Sequence, residues 1–402
     1  MTEFKLPVAV TAAIETLEAA GYEAYAVGGC VRDLCRGVEP HDYDITTSAT
    51  PEECETVFHG YRIIETGIKH GTVTVIVDGE PLEITTYRTD GVYLDGRHPE
   101  SVTFSRRIED DLSRRDFTVN AMAYSPRRGL CDPFGGREHL KTKTIACVGE
   151  PDRRFGEDGL RLMRALRFAS SFGFEIENAT AASIHKNRAL LKNISAERIL
   201  SEYKRLIVGV GAREILLEYE DVICTIMPEL AGHDDYVRAV DAISKAGGDV
   251  NLRTVLLLRD VNNITALRRL KPDGKMLRSV SRVLENMDTS FPDRVSLRRL
   301  LRRCPYEDAH RIIEAQSATG RLFPEQARTV CDVLSEMEAR GECVTVQGLA
   351  VTGRDLADAG VPTGERMGEI LEALLEEVIT ERIPNERDAL MKRVYNFVGG
   401  NF

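Results

Sequence analysis

Hydrophobic positions change period along this chain. Near the start, Val10, Ile14 and Leu17 recur at helical spacing, with Pro7 at the first turn and Gly21 beyond the end, which predicts an amphipathic helix rather than a signal peptide. To about residue 140 the pattern is then dominated by short β-like runs, "EAYAVGG", "DYDITT", "GTVTVIV" and "LEITTYR", separated by glycine and polar turns. Helical patches interrupt them. One begins at Thr50, with Pro51 at the first helical position and Glu53 completing a capping box. Beyond about residue 150 the period becomes helical, through "GLRLMRALRFASSFG", "SAERILSEYKRLI" and "MGEILEALLEEVI". In the last, Met367, Ile370, Leu371, Leu374, Leu375 and Val378 form one apolar stripe. The expectation is an α/β head followed by a long, nearly all-α remainder, without internal repeats.

Composition adds few constraints. The 402 residues allow two to four packed units, and 43% hydrophobic with 29% charged residues is ordinary for a globular protein. There is no apolar run long enough to suggest a membrane span. Nine cysteines, scattered without a C-x-x-C pair, argue against a disulfide framework or thiolate zinc site and point to a reducing cytoplasm. The net charge of −11 is uneven: Arg253 to Arg303 holds thirteen Lys or Arg against five Asp or Glu, whereas "EILEALLEEVITER" is acidic. A basic middle can track a phosphate backbone, and it can equally be a solvated helical surface.

Four stretches carry candidate chemistry. In "YAVGGCVRDLCRG", Gly28 and Gly29 end a strand and open a helix, leaving bare backbone N–H groups that suit phosphate, with Arg32 adding charge; a simple tight turn reads the same way. Asp42 and Asp44 lie two apart on a predicted strand, so their carboxylates share a face, and Glu83 on a second strand is a candidate third carboxylate. In "RRDFTVNAMAY", Arg114 and Arg115 beside Asp116 suit phosphate and ribose, or form a surface ion-pair cluster. In "GEDGLRLMRALRFASSFG", read as one helix ending near Gly173, Asp158 and Arg161 share a face and Arg164 and Arg167 extend the row. An Asp acceptor beside an Arg donor matches the Watson-Crick edges of cytosine and adenine, although an intrahelical ion pair is the simpler reading. Together the stretches outline a nucleoside triphosphate site.

These residues, with "ISAERILSEYKRLI" and "LAVTGRDLADAGVPTGERMGEILEALLEEV", resemble the class II tRNA nucleotidyltransferase and bacterial poly(A) polymerase family over most of the chain. The resemblance implies an α+β fold: a polymerase-β-type nucleotidyltransferase head with a mixed sheet (1–142), then an elongated all-α neck (143–208), body (209–320) and tail (321–402). It implies template-independent addition of CCA to tRNA acceptor ends from CTP and ATP, with CC-adding, A-adding and poly(A)-adding relatives as alternatives and a non-catalytic tRNA-binding protein as a remote one. By the same resemblance, Asp42 and Asp44 are Mg2+ ligands with Glu83 a third acidic partner. Gly28, Gly29 and Arg32 would contact the triphosphate, Arg115 and Asp116 phosphate and ribose, and Asp158 and Arg161 the base. Asn120, Arg164 and Arg167 complete the expected nucleotide site. The segment from Thr89 to Glu100, with Gly91 and Gly96, matches a flexible loop that helps switch from C to A addition. Gly159 stands where many members have alanine, an exchange expected to cost up to about 1 kcal/mol inside a helix. The "HDD" at His233 to Asp235 lacks the further ligands that a phosphohydrolase metal site needs.

Overall fold

The computed structural model describes residues 4–67, 71–91, 101–261 and 264–398. It divides into two compact units, residues 1–233 with 265–271, and residues 234–264 with 272–402.

The first unit holds the sheet. Its strands are β1 (Ala24–Val27), β2 (Asp44–Thr47), β3 (Arg62–Gly67), β4 (Thr72–Val77), β5 (Glu80–Thr86), β6 (Arg88–Asp90), β7 (Val102–Phe104), β8 (Ala123–Ser125), β9 (Gly129–Cys131), β10 (Thr144–Ile145) and β11 (Glu175–Ile176). Seven of them form a mixed sheet in the order β3-β4-β5-β2-β1-β8-β9, in which β2 and β5 run parallel and the other pairs antiparallel. Alternation decides which face each side chain takes. Val73, Val75, Val77, Leu82, Ile84, Ile45, Ala24 and Ala26 point to a core that also takes Ala13, Ile14 and Leu17 of α1 (Val8–Ala19) and Phe58 beyond α3 (Pro51–Val57). Tyr25 and Val27 point the other way, into a smaller core with Tyr87, Ile108, Leu112, Ala121 and Val148.

Local signals act as the sequence predicts at several ends. Pro7 precedes α1, and Gly21 follows it at φ +93°. Thr50 accepts from the Glu53 amide while Glu53 accepts from the Thr50 amide, closing the capping box of α3. Between the strands run α2 (Gly29–Cys35), α4 (Ile108–Ser113) and α5 (Gly136–Lys141). The helical part of the unit comprises α6 (Pro151–Glu157), α7 (Leu160–Phe172), α8 (Asn178–Asn187), α9 (Ala196–Ile207), α10 (Ala212–Glu218) and α11 (Glu220–Ile226). Within this helical stretch β11 pairs in parallel with β10, a two-residue ladder that the periodicity did not predict.

In the second unit lie α12 (Tyr236–Lys245) and α13 (Val250–Leu258); most of α14 (Ile264–Arg269) returns to the first unit. There follow α15 (Gly274–Asn286), α16 (Arg294–Leu301), α17 (Tyr306–Ala318), α18 (Pro324–Ala339), α19 (Gly353–Asp358), α20 (Glu365–Ile379) and α21 (Arg387–Val398). Ile370, Leu374, Leu375 and Ile379 of α20 are buried with Leu356, Leu390 and Val394. The C-terminal part of the basic segment is not a free cationic face. Arg294 and Arg298 pair with Glu342, Arg298 also with Glu381, and Arg299 and Arg302 with Glu376 and Glu372 of the acidic helix α20. Among the described residues, no helix is long and apolar enough to cross a membrane.

Replacing Thr50 by Ala removes one half of a reciprocal cap and should lower the unfolding free energy of the first unit by about 1 kcal/mol, read from urea denaturation. An unchanged midpoint would show that the α3 cap contributes nothing.

Candidate active site

The sheet register builds one edge of the site. Val27 is paired with Asp44, and Asp44 in turn with Glu83, so the last residue of β1 and two carboxylates stand in line across adjacent strands about 4.8 Å apart. Gly28 follows Val27 at once, at φ +81°, and its amide donates to the Met122 carbonyl. A Cβ built on Gly28 would sit 2.7 Å from Nη1 of Arg115, so this glycine is required both by its backbone and by the arginine that leans across it.

Asp42 departs from expectation. β2 begins only at Asp44, and Asp42 lies in the segment leading into the strand rather than on it. It is nevertheless close enough to act on Asp44. Partial burial raises the Asp44 pKa above the usual carboxylate range, the Arg115 guanidinium opposes this, and the charges of Asp42 and Glu83 add to it. Crowded carboxylates of this kind suit a hard divalent cation whose coordination is completed by other oxygen ligands. Among the described residues no three His, Cys, Asp or Glu side chains close a metal cage by themselves.

Beside the carboxylates runs a polar chain. Arg32 is held by both oxygens of Asp33 and donates through Nη1 to Asn120 Oδ1 at 2.8 Å. Asn120 donates to Asp116 Oδ1 at 3.1 Å, the Phe117 amide donates to the same oxygen at 2.8 Å, and Arg164 Nε of α7 donates to Asp116 Oδ2 at 2.8 Å. Burial opposes ionisation of Asp116, but Arg164, Asn120 and Arg161 outweigh it and hold the carboxyl down at about 2. Arg115 bonds the fully buried Asp111 at 3.3 Å, and Arg114 bonds it at 2.8 Å. Arg115 Nε is buried without a hydrogen-bond partner among the described residues.

The expected base-reading helix is two helices. α6 ends at Glu157, Asp158 is extended at φ −146°, and α7 starts at Leu160. Asp158 and Arg161 therefore do not share a helical face. Asp158 Oδ1 accepts from the Leu160 amide at 3.0 Å, and its Oδ2 from Arg198 of α9 at 2.7 Å. Arg161 bonds Glu157 at 2.6 Å and the carbonyls of Arg154 and Arg114. Gly159 caps α7 rather than lying inside it, so the helix-interior cost assigned to it does not apply; an added Cβ would meet Leu190 Cβ at 3.1 Å. Arg167 pairs with the buried Glu202 and lies over the Phe168 ring.

The register and the polar chain thus bring together Gly28, Arg32, Asp42, Asp44, Glu83, Arg115, Asp116, Asn120 and Arg164. Arg161 acts electrostatically on Asp116, and Asp158 on Arg164. Sequence reasoning missed Asp111, Glu157, Arg198 and Glu202. Glu157 stands four residues before Arg161, a visible helical pair, whereas the partners of Arg198 and Glu202 lie far away in sequence. Of the loop from Thr89 to Glu100, residues 92–100, Gly96 included, lie outside the described residues; the β6–β7 pairing and the Gly91 amide bond to the Ser101 carbonyl close its base.

Family models match three parts of the chain: a poly A polymerase head domain over residues 24–146, a probable RNA and SrmB-binding site of polymerase A over 173–231, and a putative tRNA nucleotidyltransferase domain 2 over 252–394. The CCA-adding enzyme of Geobacillus kaustophilus is 37% identical, with 94% of each chain covered, and that of Lactobacillus helveticus 34%, also with 94% of each. The chain belongs to the CCA-adding enzyme family. Among solved family members, the Bacillus stearothermophilus CCA-adding enzyme in complex with CTP superposes with a TM-score of 0.80 at 32% identity, covering 97% of this chain and 98% of that one. The Thermotoga maritima CCA-adding enzyme complexed with tRNA, 19% identical with a TM-score of 0.68 and covering 97% of this chain and 94% of its own, shares the fold. The mixed sheet followed by helices is therefore the family's α+β architecture.

Two substitutions test this framework. Gly28→Ala should lower stability by about 1–2 kcal/mol in urea denaturation through its left-handed backbone and the collision with Arg115, whereas Gly29→Ala, whose added Cβ would meet only ordinary contacts, should cost less. Equal effects would contradict the steric account. Asp116→Asn should separate from wild type by about 2 kcal/mol near neutral pH. Because the folded pKa is depressed, that contribution is complete above about pH 4 and is lost as pH falls towards about 2. The gap between wild type and variant, followed by denaturation at a series of pH values, should therefore narrow only at the acidic end.

Proposed function

We propose that this chain adds C, C and A to tRNA 3′ ends from CTP and ATP without a nucleic-acid template, releasing pyrophosphate. The alignment of Gly28, Asp44 and Glu83 across the sheet, flanked by Arg115 and the chain from Arg32 to Arg164, carries the reading, because it sets carboxylates beside a cationic, glycine-bared edge. The RNA 3′-hydroxyl attacks the α-phosphorus as the bond to pyrophosphate breaks, and the hydroxyl proton passes to solvent or a nearby base. A divalent ion, Mg2+ in this reading, would be held by Asp42 and Asp44 with Glu83 adjacent, and would supply polarisation of the hydroxyl and charge neutralisation of the triphosphate. The protein's own share is positioning. Gly29 leaves backbone open to the triphosphate, Gly28 gives Arg115 room to lie across the turn, and Arg32 and Arg115 meet the triphosphate charge. Asp116 and Asn120 accept and orient near the ribose while Arg164, fixed by Asp116, stays aimed at the nucleotide. Arg167, tied to Glu202, supports that helix face.

Asp158 and Arg161 are read as the pair that selects the base: an exocyclic amine donates to the carboxylate, and a ring nitrogen accepts from the guanidinium. Cytosine and adenine satisfy both, whereas guanine and uracil present a carbonyl where the amine is needed. The helical neck, body and tail are assigned to base recognition and tRNA binding, the latter by shape and backbone because many tRNAs must be accepted. A cytoplasmic location agrees with nine free cysteines, among them Cys30 and Cys147, whose thiols burial pushes up to about 11 and about 12.

The test uses purified protein, magnesium, labelled nucleotides and tRNA transcripts ending before CCA, after C and after CC. All three should grow to one discrete CCA end, and Asp44→Asn should slow addition about 10³-fold. Products stopping at CC, A addition only to a CC end, or long A tracts would each assign a narrower or different member of the family.

A further inference from the structure

Two phenylalanines of α7 gather arginines of the site around them. Phe168 is buried and Phe172, one turn further on, is half-buried; their ring centroids are 5.5 Å apart. The Cζ atoms of Arg32, Arg164 and Arg167 lie 5.3, 5.4 and 3.7 Å from the Phe168 centroid, and those of Arg32 and Arg36 lie 5.1 and 4.1 Å from the Phe172 centroid. Phe168 also meets Phe117, the neighbour of Asp116, edge to face at 5.8 Å. The pair therefore touches α2, α7 and the turn that carries Asp116, the elements joined by the polar chain from Arg32 to Arg164. Four guanidiniums collected in one place repel one another, and an aliphatic side chain would do nothing to offset this. An aromatic face attracts each of them.

We infer that Phe168 and Phe172 are positioning residues for the triphosphate: their rings fix the tilt of the Arg32 and Arg164 guanidiniums, so that the N–H groups not already bonded stay turned to the phosphates. The inference rests on the reading of Arg32 and Arg164 as nucleotide contacts. Carboxylates alone do not fix that tilt. Asp33 holds Arg32 through Nε and Nη2 and Asn120 takes one Nη1 hydrogen, bonds that engage three of the five guanidinium N–H groups. The same Asp33 oxygen that accepts from Arg32 Nε also accepts from Arg36 at 3.2 Å, so the two arginines compete for it. Phe172 lies against both and gives Arg36 a second partner. Arg32 also stands at the bare turn, since a Cβ built on Gly29 would lie 3.7 Å from its Nη2. A ring restrains a cation without neutralising it, whereas each added carboxylate would cancel charge that the triphosphate needs.

The experiment compares wild type with Phe168→Leu, Phe172→Leu and Phe172→Tyr, each checked for folding by circular dichroism. KM and kcat are measured for CTP on a tRNA ending before CCA and for ATP on one ending in CC, together with the inhibition constant of inorganic pyrophosphate. Phe172→Leu should raise KM for CTP, KM for ATP and the pyrophosphate constant by one common factor of about three to ten, with a smaller change in kcat. Phe168→Leu, which removes the ring shared by Arg32 and Arg164, should do so by at least as much. Phe172→Tyr keeps a ring at the half-buried position and should recover most of the loss. If one leucine variant does not fold, the other decides by the same readouts. Folded leucine variants with unaltered KM and pyrophosphate inhibition, a loss of kcat alone, or a Phe172→Tyr as impaired as Phe172→Leu overturns the inference and leaves the rings as packing. Wild type that adds neither C nor A would instead overturn the function on which the inference stands.

Discussion

Asp116 is the group on which the site depends. Its carboxylate lies inside the first unit, where an uncompensated charge would be costly, and is stabilised by an amide, a side-chain amide and a guanidinium. These three bonds have different origins: Phe117 is its chain neighbour, Asn120 belongs to the turn before β8, and Arg164 comes from α7. One buried charge thereby ties the helical part of the unit to the sheet and, through Asn120, reaches Arg32 on α2. The cost of breaking any of these bonds is the cost of leaving the carboxylate less well paired.

The sheet supplies the other constraint. A one-residue slip of β2 against β1 or β5 would turn Asp44 into the apolar core and Ile45 out to the site. Because Ile45, Ile84 and Val73 are buried by α1 and α3, the hydrophobic face locks the register, and the register in turn lines up Gly28, Asp44 and Glu83. The alignment of the candidate site is a by-product of packing on the opposite face of the same strands.

Charge is arranged by contact rather than by segment. In the basic stretch, Arg294, Arg298, Arg299 and Arg302 face acidic side chains of their own unit, Glu342, Glu372, Glu376 and Glu381. The exposed members of this set contribute little stability each, but together the pairs reduce the local positive field at this end of the stretch. The arginines of α7 are spent in the same way, Arg161 on Glu157, Arg164 on Asp116 and Arg167 on Glu202.

What the sequence determined by itself follows from short-range physics. Strand alternation, the helical stripe of α20, the Thr50–Glu53 cap and the glycine pair after β1 depend on residues within a few positions of one another, and all appear in the fold. The motifs also named most of the polar residues that converge at the site. Tertiary structure decided what those residues touch. It moved Asp42 off the strand, divided the expected single helix at Asp158, and matched Asp158 with Arg198 forty residues away rather than with Arg161. The reason is that local spacing fixes which side chains share a face, whereas the partner of a charge is settled by which distant helix packs there, and that choice is made by apolar surfaces carrying no record of the charges they bring together.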